Sequence, residues 1–266
     1  MPVLHLSPST CQSYRKCGRQ VLYEKVMGLT NPTKYAATVY GSAMHKSVDD
    51  FWKDKMAGKT VSVDTLISRF TDNFAGTAPI INVWGEDDPD HLREQGILAC
   101  KDFFELFKDL QPVSTEKHYN IKRASGMDIM CVADLETEDG VYDYKFGRGL
   151  WGSAVTGEYM LNMATYAMAY MEEYRKLPKV IMVKQQWTGK KMPSGKKKWS
   201  HKGFIVDQMP MDDRTIAYYL NVYNEVEKGI TAGVFLPASD NNGLCKKCGF
   251  RGNPCDVVLL SDNEEE

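Results

Sequence analysis

The sequence predicts an α/β fold in which a mixed central sheet is flanked by helices. Two observations predict it: apolar residues recur at helical spacing through the first hundred residues, and strand-like segments begin only near residue 113. A group of cysteines near the C-terminus predicts a metal-binding segment. We expect a helical region at residues 1–111, a sheet-containing core at 112–235 and a cysteine-rich segment at 236–266.

Composition limits the possible function classes. The chain has 266 residues, a formal net charge of −2 and 43% hydrophobic residues, enough for a full core. Because the net charge is small, nucleic acid must be bound by a local basic patch rather than by bulk charge. No apolar run approaches bilayer length and residues 1–8 do not resemble a signal peptide, so we expect a cytoplasmic, reducing compartment and no membrane partner.

Four helices are predicted before the sheet, at residues 7–27, 37–56, 60–74 and 91–110. Ser7 and Pro8 favour the first start, because serine caps a helix and proline fits its first position. In the second helix Gly41, His45 and Asp49 recur every four residues and therefore share one face. We expect Asp49 to hold one ring nitrogen of His45 and leave the other for a metal. A histidine with only a local structural partner is the alternative.

The sheet is predicted to centre on a hairpin. Strands are expected at residues 113–122, 127–135 and 141–146. The turn at Glu138–Gly140 contains Asp-Gly, which favours the positive backbone angles of a short loop. Because side chains alternate along a strand, Asp143 and Lys145 share a face, to which the turn returns Asp134. Two carboxylates and an ammonium there suit a divalent cation and an activated water; a surface hairpin with a salt bridge is the alternative.

A helix predicted at residues 157–174 carries Glu158, Asn162 and Tyr166 four residues apart, on one stripe. These side chains are suited to approaching a phosphate or orienting Lys145, and a solvated helix face is the alternative. Methionines on the same helix indicate core packing.

A lysine-rich connection is predicted between strands at residues 180–187 and 199–206, and a last helix at 212–228. Trp187 and Trp199 flank it, and basic residues beside aromatic ones suit a nucleic-acid strand through phosphate neutralisation and base stacking. A solvated hairpin tip is the alternative. The lysines expected to contact nucleic acid are Lys190, Lys191, Lys196, Lys197 and Lys198.

Three cysteines near the C-terminus, Cys245, Cys248 and Cys255, are separated by glycines, a proline and few other residues. In a reducing compartment such a group indicates a metal site rather than disulfides. A fourth thiolate must come from afar, and Cys11 and Cys17 are the candidates, because the two remaining cysteines fall in apolar runs. Four thiolates hold either zinc or an iron–sulfur cluster, and spacing leaves that choice open.

These motifs resemble, in the same order, those of the RecB-like nucleases of the PD-(D/E)XK superfamily. The similarity is to the iron–sulfur branch, which includes the AddB nuclease domain and CRISPR-associated and phage exonucleases. It covers most of the chain and rests on LSPSTCQSYRKCGRQVLYE, GSAMH, ADLE, DYK, NMATY and the terminal cysteines. It implies a restriction-endonuclease-like core, joined by an N-terminal helical region and a C-terminal iron–sulfur segment.

The resemblance also implies which residues form the site. Asn162 stands where the family has glutamine, and Cys131 where it often has glycine. The implied Mg²⁺ or Mn²⁺ ligands are His45, Asp134, Asp143 and the Tyr144 carbonyl. The implied catalytic residues are Lys145, Asp134, Asp143, Glu116, Tyr166 and Asn162, with Glu116 binding a second ion or its waters. The implied ligands of a 4Fe–4S cluster are Cys17, Cys245, Cys248 and Cys255.

The function implied by the resemblance is a metal-dependent DNA exonuclease, acting on single strands or DNA ends in phage or prokaryotic recombination, replication or repair. DNA is the expected partner, together with a recombination protein. The cluster is expected to be structural, holding the first helix against the C-terminal segment as a wall over the DNA path. The alternatives are a nucleic-acid-binding accessory protein with an idle nuclease fold and a zinc-bound interaction module.

Overall fold

A computed structural model of the chain describes residues 5–85, 87–124, 126–147, 153–193, 197–238 and 244–256. Among the residues singled out from the sequence, Lys196 and the side chains of Glu158 and Lys197 lie outside that description. None of the described helices is both long enough and apolar enough to cross a membrane.

Helices and strands alternate along the chain largely in the predicted order. The α-helices are α1 (Pro8–Lys16), α2 (Gly18–Val21), α3 (Ala36–Met56), α4 (Val63–Thr77), α5 (Pro89–Phe107), α6 (Ser153–Tyr174) and α7 (Asp213–Thr231). The strands are β1 (His5–Leu6), β2 (Ser114–Ile121), β3 (Asp128–Thr137), β4 (Gly140–Lys145), β5 (Lys179–Lys191) and β6 (Lys197–Met209). A π-helix covers Leu22–Val26, and short 3₁₀ turns cover Ala78–Ile80 and Cys245–Lys247.

The described residues form two compact units. The first is drawn from residues 1–33, 120–131 and 213–266, and the second from 34–119 and 132–212. Because each unit is assembled from separate stretches of the chain, their borders do not follow the three predicted segments.

The second unit contains a mixed sheet. β3 and β4 form the predicted antiparallel hairpin, with Leu135 opposite Tyr142. β4 pairs in parallel with β5, which pairs antiparallel with β6, and β2 pairs with β3. Helix α6 packs on β4 and β5. The predicted α/β fold with a mixed, helix-flanked sheet is confirmed.

Aromatic side chains join α3, α4 and α5 to this sheet. Tyr40 and Trp52 of α3, Phe70 of α4, Phe103 of α5 and Tyr144 of β4 are all fully buried. The Phe103 and Tyr144 rings meet edge to face at 5.3 Å, and the Trp52 indole donates to the Tyr144 hydroxyl at 3.1 Å. Burying a large apolar side chain contributes about 1.5–3 kcal/mol, so this core holds the hairpin firmly.

The hairpin turn differs from the prediction in its chemistry. Gly140 does not take the positive φ that the Asp-Gly pair suggested. A Cβ added there would lie 2.0 Å from the carbonyl oxygen of Lys179, so the glycine is needed for the close approach of β5. The contact with β5, rather than the turn type, explains why position 140 is a glycine.

In the first unit the predicted single helix at residues 7–27 is interrupted. Cys17 is extended, with φ −160° and ψ 100°, and separates α1 from α2. Gly18 follows because a Cβ there would lie 2.9 Å from the backbone nitrogen of Leu236. β1 pairs in parallel with the first residues of β3, and α1 packs on α7.

Candidate active site and cysteine site

Three side chains from three elements of the second unit come together beside the hairpin. They are His45 of α3, Glu116 of β2 and Asp134 of β3, and one ligand atom of each lies within 4.8 Å of the other two. His45 Nδ1 is 3.4 Å from Asp134 Oδ1. Since Mg²⁺ holds its ligands at about 2.0–2.1 Å, two ligands of one ion lie about 3–4 Å apart. The donor set and its spacing therefore fit a divalent cation.

Close packing of α3 on the end of the hairpin brings His45 to this position. A Cβ added at Gly41 would lie 3.2 Å from the carbonyl oxygen of Phe146, so glycine permits the approach that was expected of it. The His45 ring then meets the Phe146 ring edge to face at 5.0 Å. The Tyr144 backbone amide donates to Asp134 Oδ2 at 2.5 Å, which fixes the orientation of the Asp134 carboxylate.

Asp143 and Lys145 lie next to the ligand group. They form an ion pair through Asp143 Oδ2, and the Tyr166 hydroxyl donates to Asp143 Oδ1 at 2.9 Å. Asp143 is only 2% exposed. Both oxygens of this buried carboxylate therefore have a partner, Tyr166 at Oδ1 and Lys145 at Oδ2.

Charge and burial oppose each other at His45 and Asp134. Burial alone would lower the pKa of His45, but the neighbouring Asp134 carboxylate raises it above the ordinary value. Burial alone would raise the pKa of Asp134, but His45, with Lys145, holds it below the ordinary value. The two side chains therefore favour an ion pair.

Burial and neighbouring charges also shift the pKa values of Glu116, Asp143 and Lys145. Burial raises the pKa of Glu116, and the Asp134 and Asp49 carboxylates add to that. Burial also raises the pKa of Asp143, against the opposing effect of Lys145. Burial would lower the pKa of Lys145, but Asp143 and Asp134 raise it, so the amine stays protonated.

One expectation about an individual residue needs correction. Asp49 does not hold His45: it pairs with Lys53 at 2.7 Å and accepts from the Thr115 hydroxyl at 3.1 Å. Glu116, which the resemblance placed at a second ion or its waters, lies in the ligand-spaced group with His45 and Asp134. Asn162 is half-buried on α6.

Two residues at the site were missed by the sequence analysis. The Lys145 ammonium lies over the Tyr159 ring, 4.9 Å from its centroid. The second is Gln185 of β5, which is fully buried and accepts from the Gly147 amide. Glu116 also has a φ of +47°, an uncommon conformation that costs about 1–3 kcal/mol. Helical spacing from Asn162 would have suggested Tyr159, but no local signal marks Gln185.

The lysine-rich connection is a two-stranded ribbon. β4 pairs with β5 as far as Lys184, whereas β6 follows β5 to Lys191. Lys190 lies opposite Lys198, and both are exposed; Lys191 lies opposite Lys197. The expected base stacking by Trp187 is wrong, because that ring is 6% exposed and packs on Tyr40 in the core. Trp199 is also partly buried against the core.

In the first unit the four predicted cluster cysteines line one cavity, at Cys17, Cys245, Cys248 and Cys255. Cys11 is instead fully buried, and burial raises the pKa of its thiol to about 12. All seven cysteines are among the described residues, and none forms a disulfide.

Two donors next to Cys17 in the sequence face these sulfurs. The Arg19 guanidinium lies 4.0 Å from Cys255 Sγ, and the Gln20 amide 4.0 Å from Cys248 Sγ. Arg19 also pairs with Asp256 at 2.6 Å. Such donors stabilise thiolate sulfur, the form that binds metal.

Comparison with known proteins places these features in context. A model of the PD-(D/E)XK nuclease superfamily matches residues 5–253. A search of curated proteins gave no match. Among solved structures, a protein from Eubacterium rectale named "Putative exonuclease" is similar, with a TM-score of 0.52 and 14% identity over 98% of this chain and 93% of that one. At that identity the likeness shows a shared fold.

Proposed function

The chain belongs to the PD-(D/E)XK nuclease superfamily, and we propose on that basis that it is a metal-dependent DNA exonuclease. Single strands or DNA ends are the proposed substrates, in phage or prokaryotic recombination, replication or repair, with DNA and a recombination protein as partners. The observation that best supports a metal-dependent nuclease is the ligand-spaced group of His45, Glu116 and Asp134 next to the Asp143–Lys145 pair.

His45, Glu116 and Asp134 would hold Mg²⁺ or Mn²⁺, with Asp143 and the Tyr144 carbonyl as further ligands. Carboxylates suit either ion, and the imidazole makes Mn²⁺ acceptable as well. A bound cation supplies positive charge for the scissile phosphate and lowers the pKa of water.

Lys145 orients the attacking water or neutralises charge that develops on the phosphate. Neighbouring carboxylates keep the Lys145 amine protonated. We therefore propose that Lys145 acts as a hydrogen-bond donor and a positive charge, and not as a general base. Asp143 and the Tyr159 ring restrict the position of the ammonium, and Tyr166 in turn fixes Asp143. Asn162, one helical turn before Tyr166, is proposed to approach the phosphate.

The lysine ribbon is the proposed DNA contact. Like charges directly opposite each other on paired strands are destabilising, so pairing Lys190 with Lys198 is unfavourable unless a polyanion lies across them. Neutralising DNA phosphates provides that compensation and makes binding salt-dependent.

Cys17, Cys245, Cys248 and Cys255 are proposed to hold a 4Fe–4S cluster with a structural role. The four cysteines line one cavity, and the Arg19 and Gln20 side chains face two of their sulfurs, which supports thiolate ligation at this position. Four thiolates also suit zinc, and the iron content of the purified protein distinguishes the two.

The test compares end-labelled linear DNA with circular DNA, single- and double-stranded, in Mn²⁺, in Mg²⁺ and in excess chelator. We expect short products from linear DNA only with metal, and intact circles. Asp134→Asn and Lys145→Ala should each reduce the rate by at least about 100-fold.

Lys122→Ala is the matched control, because Lys122 pairs with Asp128 in the first unit. This variant should keep full activity. Equal degradation by wild type and both site variants would refute the assignment. A shifted DNA band with no product under any metal would favour the idle accessory protein.

A further inference from the structure

We propose that Gln185 is a positioning residue that sets the spacing between the end of β4 and the helix carrying His45. The inference rests on the proposed nuclease function and adds a residue that lies outside the ligand-spaced group. It starts from an amide that is 0% exposed in the middle of an aromatic core.

Gln185 connects the two elements directly. Its Oε1 accepts from the Gly147 amide at 3.1 Å, and its Nε2 donates to the Tyr40 hydroxyl at 2.8 Å. Gly147 comes two residues after Lys145, and Tyr40 precedes His45 on α3. One side chain therefore joins the lysine strand to the histidine helix.

A second connection holds the amide itself. Gln185 Nε2 lies 3.2 Å from His201 Nδ1, and His201 Nε2 lies 3.0 Å from Asp102 Oδ2. A neutral imidazole satisfies both contacts by accepting from Gln185 and donating to Asp102. Burial lowers the pKa of His201, which favours that neutral form. A satisfied polar chain in an apolar region permits one arrangement and penalises others.

The contact lies where it affects the ligand spacing. Tyr40 adjoins Gly41, whose α-carbon is so close to Phe146 that a Cβ would lie 3.2 Å from its carbonyl oxygen. His45 is four residues further along the same helix, and its ring nitrogen is 3.4 Å from Asp134. A small shift of α3 against the hairpin therefore changes that ligand distance directly. Displacements of about 1 Å can cost about 100-fold in rate.

Gln185→Met tests the inference, because methionine has a similar volume and makes none of these hydrogen bonds. Tyr170→Phe is the matched control: it removes a buried tyrosine's donation to the Glu138 carbonyl, at the other end of the hairpin. Both variants should lose thermal stability, and Gln185→Met should lose more, because it removes three polar contacts and Tyr170→Phe removes one. Only Gln185→Met should lower kcat and Mn²⁺ affinity, each by about tenfold or more, with KM for an oligonucleotide unchanged.

Tyr40→Phe provides a second measurement if Gln185→Met does not fold, since it removes only the helix end of the connection. It should lower kcat and Mn²⁺ affinity a few-fold. The inference would be overturned, and the proposed function left standing, by either of two results. One is wild-type kcat and Mn²⁺ affinity in Tyr40→Phe; the other is a loss of kcat and Mn²⁺ affinity in Gln185→Met no larger than that in Tyr170→Phe. A wild-type protein that neither binds Mn²⁺ nor degrades DNA would instead refute the proposed function, and the inference with it.

Discussion

Protonation of the candidate ligands is set by burial and by neighbouring charge. His45 keeps a proton more readily than an ordinary histidine because Asp134 lies beside it, although burial acts in the opposite direction. Glu116 keeps a proton more readily than an ordinary glutamate because it is half-buried beside the Asp134 and Asp49 carboxylates. Binding a cation must displace these protons, so metal affinity and metal-free stability respond to pH in opposite ways.

We predict the sign of both responses between about pH 6 and pH 8. A histidine with a raised folded-state pKa stabilises the fold below its unfolded pKa, and that stabilisation is lost as pH rises through the folded pKa. The melting-temperature advantage of metal-free wild type over His45→Gln should therefore shrink as pH rises, while Mn²⁺ affinity of the wild type increases. Calorimetry measures both, with His118→Gln, an exposed histidine of β2, as control. An advantage that grows with pH would contradict the His45–Asp134 pairing.

Tyr159 gives a second prediction at the level of one side chain. Its ring lies under the Lys145 ammonium, and a cation–π contact contributes about 0.5–2 kcal/mol. Tyr159→Leu should lower kcat by about 2- to 30-fold, whereas Tyr159→Phe, which keeps the ring, should retain most of it. Single-turnover kinetics at saturating Mn²⁺ would measure this, and equal rates for both variants would remove the ring from the mechanism.

At the scale of elements, the β5–β6 ribbon balances strand pairing against charge repulsion. Its backbone register extends to Lys191, beyond the part of β5 that β4 covers. Without the sheet on its other side, the ribbon depends on cross-strand pairs, and those at its tip are lysines.

Replacing Lys190 and Lys198 together with glutamine should weaken DNA binding and strengthen the fold. Loss of two phosphate contacts should reduce the salt dependence of single-strand affinity by about 1.4 in the log–log slope, with kcat unchanged. Relief of repulsion should add about 0.2–1 kcal/mol of stability.

Lys108→Gln with Lys228→Gln is the control for the ribbon variant. Lys108, directly after α5, pairs with Glu105 of that helix, and Lys228 pairs with Glu225 within α7. Fluorescence anisotropy across a salt series would measure affinity. An unchanged slope in the ribbon variant would exclude this surface from DNA binding.

At the scale of the whole molecule, the two compact units predict separate stability. The four cysteines proposed to hold a cluster belong to the first unit, and the ligand-spaced group belongs to the second. Cys17→Ser should abolish visible absorbance and bound iron, and amide hydrogens of α1 and α7 should exchange faster, while those of β4 and β5 are unaffected. Cys11→Ser should keep the iron. Uniformly faster exchange in both units would mean that the chain unfolds as one cooperative body.

Helical spacing and strand alternation are local rules, and they predicted most of the helices and strands and the shared neighbourhood of Asp134, Asp143 and Lys145. That His45 joins them was implied by the family resemblance. The predictions were wrong where a residue's role depends on contacts with distant parts of the chain. Gly140 permits the close approach of β5, Asp49 pairs with Lys53 and Thr115, and Trp187 is buried in the core. Gln185 acquires its partners only when α3, β4 and β6 have assembled.

The division into units has a consequence for how the protein is made. A ribosome completes residues 34–212, which hold the whole second unit, before it reaches the last stretch of the first. Cys17 therefore emerges before the second unit, whereas Cys245, Cys248 and Cys255 are synthesised only after that unit is complete. If the second unit folds on the nascent chain, the group of His45, Glu116 and Asp134 forms before the four cysteines can come together.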